Sequence, residues 1–376
     1  MADIVKDDKK NVLLLGTTSF FNDISGEALF TLLPLYIKNP GLLGILGGII
    51  SGFGDVIKVY FGYLSDHLGK RRVIVFLGYA LSAVSKIIIP LVSSPLIIIL
   101  LIFDRIGKGV REGPRDAILS FYKNKGWAFG LQKAMDTLGA VFGALLAYVA
   151  VTLALDFRTA MLVAASLGIF SLIPLLFVGH THVDKNPEGF RETLKGVTKG
   201  MGWIVVVGSL FGLVMISPIL LVREAYLALG SLGIIAYVFF NIIYSVSARA
   251  FGGLSDTLGR AFGMNLSFVS GFLGFFMVFL GGWWVALGFA FYGVSMGAFN
   301  SVSRALVGDL FTERKATAQG LFQTTTGIAV LVGSTLFGFG LSLIGRLVYL
   351  VYASFALLSV VAFNYWNTSQ GLAVNP

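Results

Sequence analysis

The sequence contains no cysteine, and only three of its 376 residues are histidine. No disulfide framework, thiolate metal site or cysteine nucleophile is available. His67, His180 and His182 all fall in or beside hydrophilic connections, which leaves little with which to build a metal-dependent enzyme. Charge is scarce too. Charged types make up 12% of the residues, where a soluble domain carries about 25%. So few charges cannot cover a water-facing surface. No G-x-x-x-x-G-K-[ST] run is present, so a nucleotide-driven pump would lack its phosphate cradle. An H-E-x-x-H zinc helix is missing as well.

Hydrophobic types reach 56%, so lipid must be the solvent for much of the chain. The 47 glycines fit that solvent, because small residues let membrane helices approach closely. The net charge of +9 reads as basic loops held on one side of a membrane, not as a nucleic-acid surface. MADIVKDDKK at the start lacks a cleavable signal pattern, so the first apolar segment is expected to stay as a membrane helix.

A spanning helix needs about 20 mostly apolar residues. Such segments lie near 11–37, 41–64, 73–93, 96–121, 127–153, 158–178, 201–222, 231–254, 262–281, 284–308, 317–343 and 346–366. Turn or charge signals separate them: KNPG at 38–41, DHLGKRR at 66–72, SSP at 93–95 and KNKG at 123–126. The expected fold class is an all-α membrane protein with 12 transmembrane helices in two six-helix bundles. The expected domains are 1–178, a cytoplasmic linker 179–200, and 201–376. With these spans, 15 basic loop residues fall on the side of the termini and 4 on the other. The positive-inside rule then makes both termini cytoplasmic, in a plasma membrane.

The two halves are related. GYLSDHLGK at 62–70 aligns with GGLSDTLGR at 252–260, an offset of 190. The same offset carries Ala128, Gly130, Leu131 and Gly143 onto Ala318, Gly320, Leu321 and Gly333. Parallel six-helix repeats are a transporter plan with the substrate site between the halves.

GYLSDHLGKRR resembles the loop signature G-x-L-x-D-x-x-G-[RK]-[RK] of the major facilitator superfamily. Gly62, Leu64, Asp66, Gly69, Lys70 and Arg71 match it, and Gly252, Leu254, Asp256, Gly259 and Arg260 match a shorter second copy. Arg105, Lys108 and Gly109 resemble the family's R-x-x-Q-G pattern, with Lys in place of Gln. DRIGKGVREGPRDA at 104–117 and SFFNDISGE at 19–27 look like a prokaryotic branch. The resemblance covers about the whole chain. It implies the family's twelve-helix fold and secondary transport by alternating access, and does not name a cargo. It also implies a gating latch at Gly62, Asp66, Gly69, Lys70, Arg71, Gly252, Asp256, Gly259 and Arg260. A plain topological anchor is the alternative for these residues. GAVFGA at 139–144 lacks the proline of the family's antiporter pattern G-P-x-x-G-G, so Gly139 and Gly143 also read as a helix-packing motif.

Charges inside apolar spans are costly unless paired or wetted. The basic ones are Lys58, Lys86, Arg105, Lys108, Arg111, Arg115, Lys133, Arg249 and Arg304; the acidic ones are Asp23, Glu27, Asp55, Asp104, Glu112, Asp116 and Asp136. Nearly all lie in the first half. Asp23 and Glu27 share a helix face at i, i+4, and Asp55 and Lys58 have the spacing to pair. A contact among Asp23, Asp55 and Lys86 is plausible on this pattern. Pro114 is expected to kink or end the fourth helix. Lys133 and Asp136 have the spacing to answer the fourth-helix cluster.

Two readings compete for these charges. In one, Asp23, Glu27, Asp55 and Arg105 are proton-coupling residues, and Asn22, Lys58, Lys86, Asp104, Lys108, Lys133, Asp136 and Gln323 bind substrate. In the other, the charges are internal salt bridges that lock the bundle. The first reading gives a monomeric secondary transporter with protons, a small solute and the lipid bilayer as partners, and no cofactor. Proton-coupled efflux by antiport comes first, and carriage of a small organic anion second. A membrane-embedded enzyme or a channel stands further off.

Overall fold

A computed structural model of the chain describes residues 2–68, 70–92, 94–120, 125–179, 202–310 and 315–369. The described residues form helices and no strands. In chain order these are α1 (Ala2–Tyr36), α2 (Pro40–Gly48), α3 (Gly54–Leu68), α4 (Arg71–Ile88), α5 (Ser94–Ser120), α6 (Lys125–Thr152), α7 (Phe157–Ser166) and α8 (Leu172–Leu175). There follow α9 (Gly202–Val214), α10 (Pro218–Leu229), α11 (Leu232–Leu258), α12 (Arg260–Leu280), α13 (Trp284–Leu310), α14 (Lys315–Ile344) and α15 (Leu347–Ser369).

Among the described residues, 10 helices are long and apolar enough to cross a membrane. They overlap the expected spans, the seventh shifted to Gly208–Leu229, with the exception of 11–37 and 96–121. Those two segments are helical, as α1 and α5. They are also the helices that carry Asn22, Asp23, Glu27 and the Asp104–Asp116 charges. The departure from apolarity therefore falls on the elements that hold the polar interior.

The expected helices differ from the observed ones in four places, one being the sixth span, where a 3-10 turn at Leu167–Ser171 separates α7 from α8. The second span is not one regular helix: a π-helical turn at Ile49–Phe53 separates α2 from α3. The seventh span breaks at 215–217, ahead of Pro218. Proline lacks an N–H and pushes the preceding residue out of the helical region; Ser217 is accordingly extended, at φ −59° and ψ 130°. The freed groups are satisfied. The Ser217 N–H donates to Ser334 Oγ at 2.9 Å, and Tyr292 Oη donates to the Ile216 carbonyl at 2.5 Å. Conversely, α5 runs on through Pro114, so this proline does not end the helix.

Two compact units result. The first holds Met1–Tyr36 and Phe53–Phe190; the second holds Ile37–Gly52 and Arg191–Pro376. In the first, α1 packs on α6, and α5 packs on both α3 and α4. In the second, α13 packs on α11 and α12, α15 on α12, and α14 on α2 and α9. Segment 37–52 joins the second unit through glycines: a Cβ at Gly44 would lie 2.7 Å from the Ser334 carbonyl oxygen, and one at Gly48 2.5 Å from that of Leu331. The expected linker 179–200 lies outside the described residues apart from Gly179.

The core of the second unit is aromatic. Phe211 lies 4.6 Å from Phe268 and 4.9 Å from Phe299, centroid to centroid, and Phe337 lies 4.9 Å from Tyr352. The first unit has a smaller apolar core at one end, where Val12, Leu15, Val75, Leu119 and Leu175 surround Tyr79.

Candidate functional site

The polar interior of the first unit is built by close helix contacts. On the α4–α5 side, Gly78 and Gly107 face each other. A Cβ on Gly78 would stand 2.7 Å from the Gly107 carbonyl oxygen, and one on Gly107 2.5 Å from that of Gly78. This approach seats Ser82 on Asp104. The Ser82 hydroxyl donates to the Asp104 carboxylate, and Arg105 Nε donates to its other oxygen at 2.8 Å. Asp104 is wholly buried and Arg105 is buried. The guanidinium also lies 4.8 Å from the centre of the Phe30 ring.

Further along α5, Glu112 takes Lys58 of α3 at 3.2 Å and Lys108 of its own helix at 3.8 Å. Arg115 pairs with Asp116 at 2.9 Å and donates to Ser19 Oγ at 3.1 Å. Ser19 in turn bonds Tyr79 Oη at 2.9 Å. Arg111 is 4% exposed, lies 4.5 Å from the centre of the Tyr79 ring, and has a buried Nη1 without a hydrogen-bond partner.

Lys86 stands apart from these pairs. It is 1% exposed. Its ammonium donates to two oxygens of Asn22, the main-chain carbonyl at 3.0 Å and Oδ1 at 2.9 Å. Both acceptors are neutral. An ammonium has three donors, so one remains. Gly26 and Gly168 flank it, and a Cβ on either would lie 3.8 Å from Nζ.

Asn22 also donates, through Nδ2, to Asp23 Oδ1 at 3.0 Å. Asp23 and Glu27 lie on the α1 face that meets α6. A Cβ on Gly139 would lie 2.9 Å from Asp23 Cβ, and one on Gly143 2.9 Å from Glu27 Cβ. These two glycines therefore serve close packing, and they do so at the acidic face. On α6, Asp136 accepts from Gln132 Nε2 at 2.8 Å.

Of the residues singled out from sequence, Asn22, Asp23, Lys86, Asp104, Arg105, Lys58 and Lys108 join this interior, and Glu27 borders it. Lys58, expected from its spacing to pair with Asp55, reaches Glu112 across the contact of α3 with α5. Asp55 is half-buried on α3. The suggested contact of Lys86 with Asp23 and Asp55 is made instead with Asn22, which bonds both Lys86 and Asp23. Lys133, Arg249 and Arg304 are exposed. Gln323 is half-buried on α14, in the second unit.

The second copy of the loop motif forms an ion-pair hub. Arg260 reaches Asp256 at 2.5 Å and Asp309 at 2.8 Å. Gly259 has φ 88°, a conformation that favours glycine. In the first copy, Lys70 is exposed and Arg71 is buried at the start of α4. The surroundings of Gly62, Asp66 and Gly69 lie outside the described residues.

Sequence reading missed Ser82, Tyr79 and Gln132 as partners, because a hydroxyl or amide in an apolar run carries no signal of its own. It missed Glu224, buried and paired with Arg223 at 2.6 Å, by placing it in a loop. It also took the G-x-S-x-G pattern to be absent, although one run is present, Gly293 to Gly297. That pattern marks a hydrolase nucleophile when it sits on a strand-to-helix turn. Here Ser295 is buried within the continuous helix α13, and its hydroxyl would lie 3.0 Å from a Cβ on Gly271. It is a packing residue.

Long apolar helices around a buried charge network define a multi-pass membrane protein with the makings of a carrier. The chain belongs to the Major Facilitator Superfamily, whose family model matches residues 15–221 and 202–374. It is 33% identical over 371 residues to an uncharacterised MFS-type transporter of Methanocaldococcus jannaschii, covering 93% of each chain. Solved structures with this fold include the nucleoside transporter NupG, at TM-score 0.78 and 15% identity, covering 94% of this chain and 98% of that one. A POT family transporter in complex with 5-aminolevulinic acid matches at TM-score 0.75 and 12% identity, over 93% and 94%. The human organic anion transporter MFSD10 matches at TM-score 0.67 and 15% identity, over 94% and 99%. The protein is thus a membrane transporter of small molecules and not an enzyme.

Proposed function

We propose that this transporter carries a small organic anion by alternating access, coupled to protons, with Lys86 as the anion anchor. The observation that carries the reading is the state of Lys86. It is a buried ammonium that, among the described residues, is held by the neutral oxygens of Asn22, with one donor left over. A buried charge is costly until it meets an opposite charge, so an incoming carboxylate supplies what the fold leaves out. Arg111, on the same polar interior and without a hydrogen-bond partner for Nη1, adds positive potential.

The proposal includes twelve spans, with α1 and α5 completing the ten apolar helices. It also includes a division of the chain at 179–200, cytoplasmic termini, a plasma-membrane location and a monomeric carrier. Asp256, Arg260 and their first-copy counterparts Asp66 and Lys70 act as the gating latch.

Proton-coupled efflux of a cationic solute is the second reading. It is favoured by Asp23, whose carboxylate is bonded by the Asn22 amide and not by a cation. Thermal stabilisation of the purified protein separates the two, since a ligand of the native state raises the melting temperature. Acetate, succinate, citrate and benzoate are compared with lipophilic cations. Stabilisation by a carboxylate that is lost in Lys86→Met supports the anion reading. Stabilisation by cations alone, lost in Asp23→Asn, replaces it with efflux.

A further inference from the structure

Among the described residues, Asn22 bonds both Lys86 and Asp23. Its amide oxygen accepts from Lys86 Nζ at 2.9 Å, and its amide nitrogen donates to Asp23 Oδ1 at 3.0 Å. The side chain is buried, at 4% exposure. Its orientation is dictated by its neighbours: an ammonium can only donate, so the oxygen must face Lys86. The nitrogen must then find an acceptor, and it does so best in an ionised carboxylate, where the bond is charge-assisted.

We propose that the Asn22 amide is a positioning element that makes anion binding at Lys86 and protonation of Asp23 favour each other. The inference rests on the anion reading above. A carboxylate seated by one oxygen on the spare donor of Lys86 competes, through its second oxygen, with Oδ1 of Asn22 for the ammonium. Once displaced, the amide is no longer held in one orientation. It can turn and offer its oxygen to a protonated Asp23 carboxyl, which has become a donor. While Asp23 is ionised, it holds the amide in the orientation that keeps a second donor of Lys86 occupied. One proton and one negative charge therefore enter together, and the net charge of the interior is unchanged. The consequence is symport, in whichever direction the gradients drive it.

Other charges surround both groups. Asp23 faces Glu27 on its own helix, Asp136 on α6 and Arg111 on α5. Lys86 faces Asp104, Arg105 and Arg111 on α5, and Asp23 on α1. These act through space, with or without Asn22, and any test has to separate their effect from that of the amide.

The experiment is anion affinity against pH, measured by calorimetry on the full chain with the tightest of succinate, citrate and benzoate. In the wild type, affinity should rise as pH falls through the titration of Asp23, approaching about tenfold per pH unit for one linked proton. In Asn22→Leu and Asn22→Ala the dependence should flatten to about twofold or less, with tighter binding at high pH because the competitor for Lys86 is gone. An undiminished slope in a variant that still binds overturns the inference and leaves the anion reading standing. A wild type whose anion binding ignores Lys86→Met overturns both. Infrared difference spectra of the wild type with isotope-labelled asparagine decide the case where neither variant folds. Anion binding should shift an asparagine side-chain carbonyl band as a protonated carboxyl appears, and an unmoved asparagine band overturns the proposal.

Discussion

The two units solve the same packing problem with different chemistry. The first fills its interior with directional polar contacts: Ser82 and Arg105 on Asp104, Lys58 and Lys108 on Glu112, Asn22 on Lys86. The second fills its interior with rings and spends its hydroxyls on backbone, as Tyr292 does on Ile216 and Tyr352 on Gly333. Rings pack in any apolar solvent and tolerate small shifts. A charge in a low-dielectric interior has few satisfactory positions. The first unit is therefore where binding a charged solute can change the energy of the protein, and the second is where shape is held.

Truncations should separate the two roles. Asp104→Ala strips Arg105 of its carboxylate inside the first unit, and the expected loss is about 3–5 kcal/mol. Phe337→Ala should cost about the same, 3–5 kcal/mol, by opening a cavity among Tyr349, Tyr352 and Phe275. Denaturation in detergent measures both. The contrast lies in binding: anion affinity should rise in Asp104→Ala, because a carboxylate that faces Lys86 is removed, and stay within about twofold in Phe337→Ala, whose described partners are rings of its own unit. An equal change of affinity in both would erase the contrast.

Gly143→Ala probes the acidic face. Its new methyl would stand 2.6 Å from the Ile24 carbonyl oxygen and 2.9 Å from Glu27 Cβ. Overpacking of this kind costs about 1–3 kcal/mol, and a lowered melting temperature checks it. Tyr349→Phe has the opposite sign. The Tyr349 hydroxyl is buried without a hydrogen-bond partner, so its removal should leave stability unchanged or raise it by about 1 kcal/mol. A clear loss would show that the second unit depends on a polar contact after all.

The smallest effect is expected at the Arg260 hub. Asp309 is 53% exposed, and exposed pairs contribute about 0–1 kcal/mol. Asp309→Asn should hardly move the melting temperature. A change in transport rate at constant stability would then mark the hub as a gate, and no change in either would mark it as an anchor.

Much of this was legible in the amino-acid order. Span positions followed from apolar runs, because lipid imposes a minimum length on a helix whose backbone must satisfy itself. The spans 262–281 and 284–308 leave a tight connection, where Gly281 and Gly282 both adopt positive φ. The concentration of charge in the first half was visible as composition. Pairing was not. Spacing along one helix pointed Lys58 to Asp55 and could not show that Glu112, on a helix in contact, also lies within reach of it. The break at 215–217 was hidden as well. An apolar run with one proline does not say whether the helix runs on through it, as α5 does at Pro114, or stops before it. At 215–217, Tyr292 and Ser334 stand ready to satisfy the freed backbone.

The sequence by itself determined the solvent, the helices and the repeated motif, because each depends on residues near one another in the chain. Only the tertiary structure decided which buried charges are paired, and that Lys86 is shared with Asn22 and not with an acid. Those outcomes depend on which helices glycine allows to meet, and at what register. Residues 22 and 86 are adjacent only because α1 and α4 lie side by side in the fold.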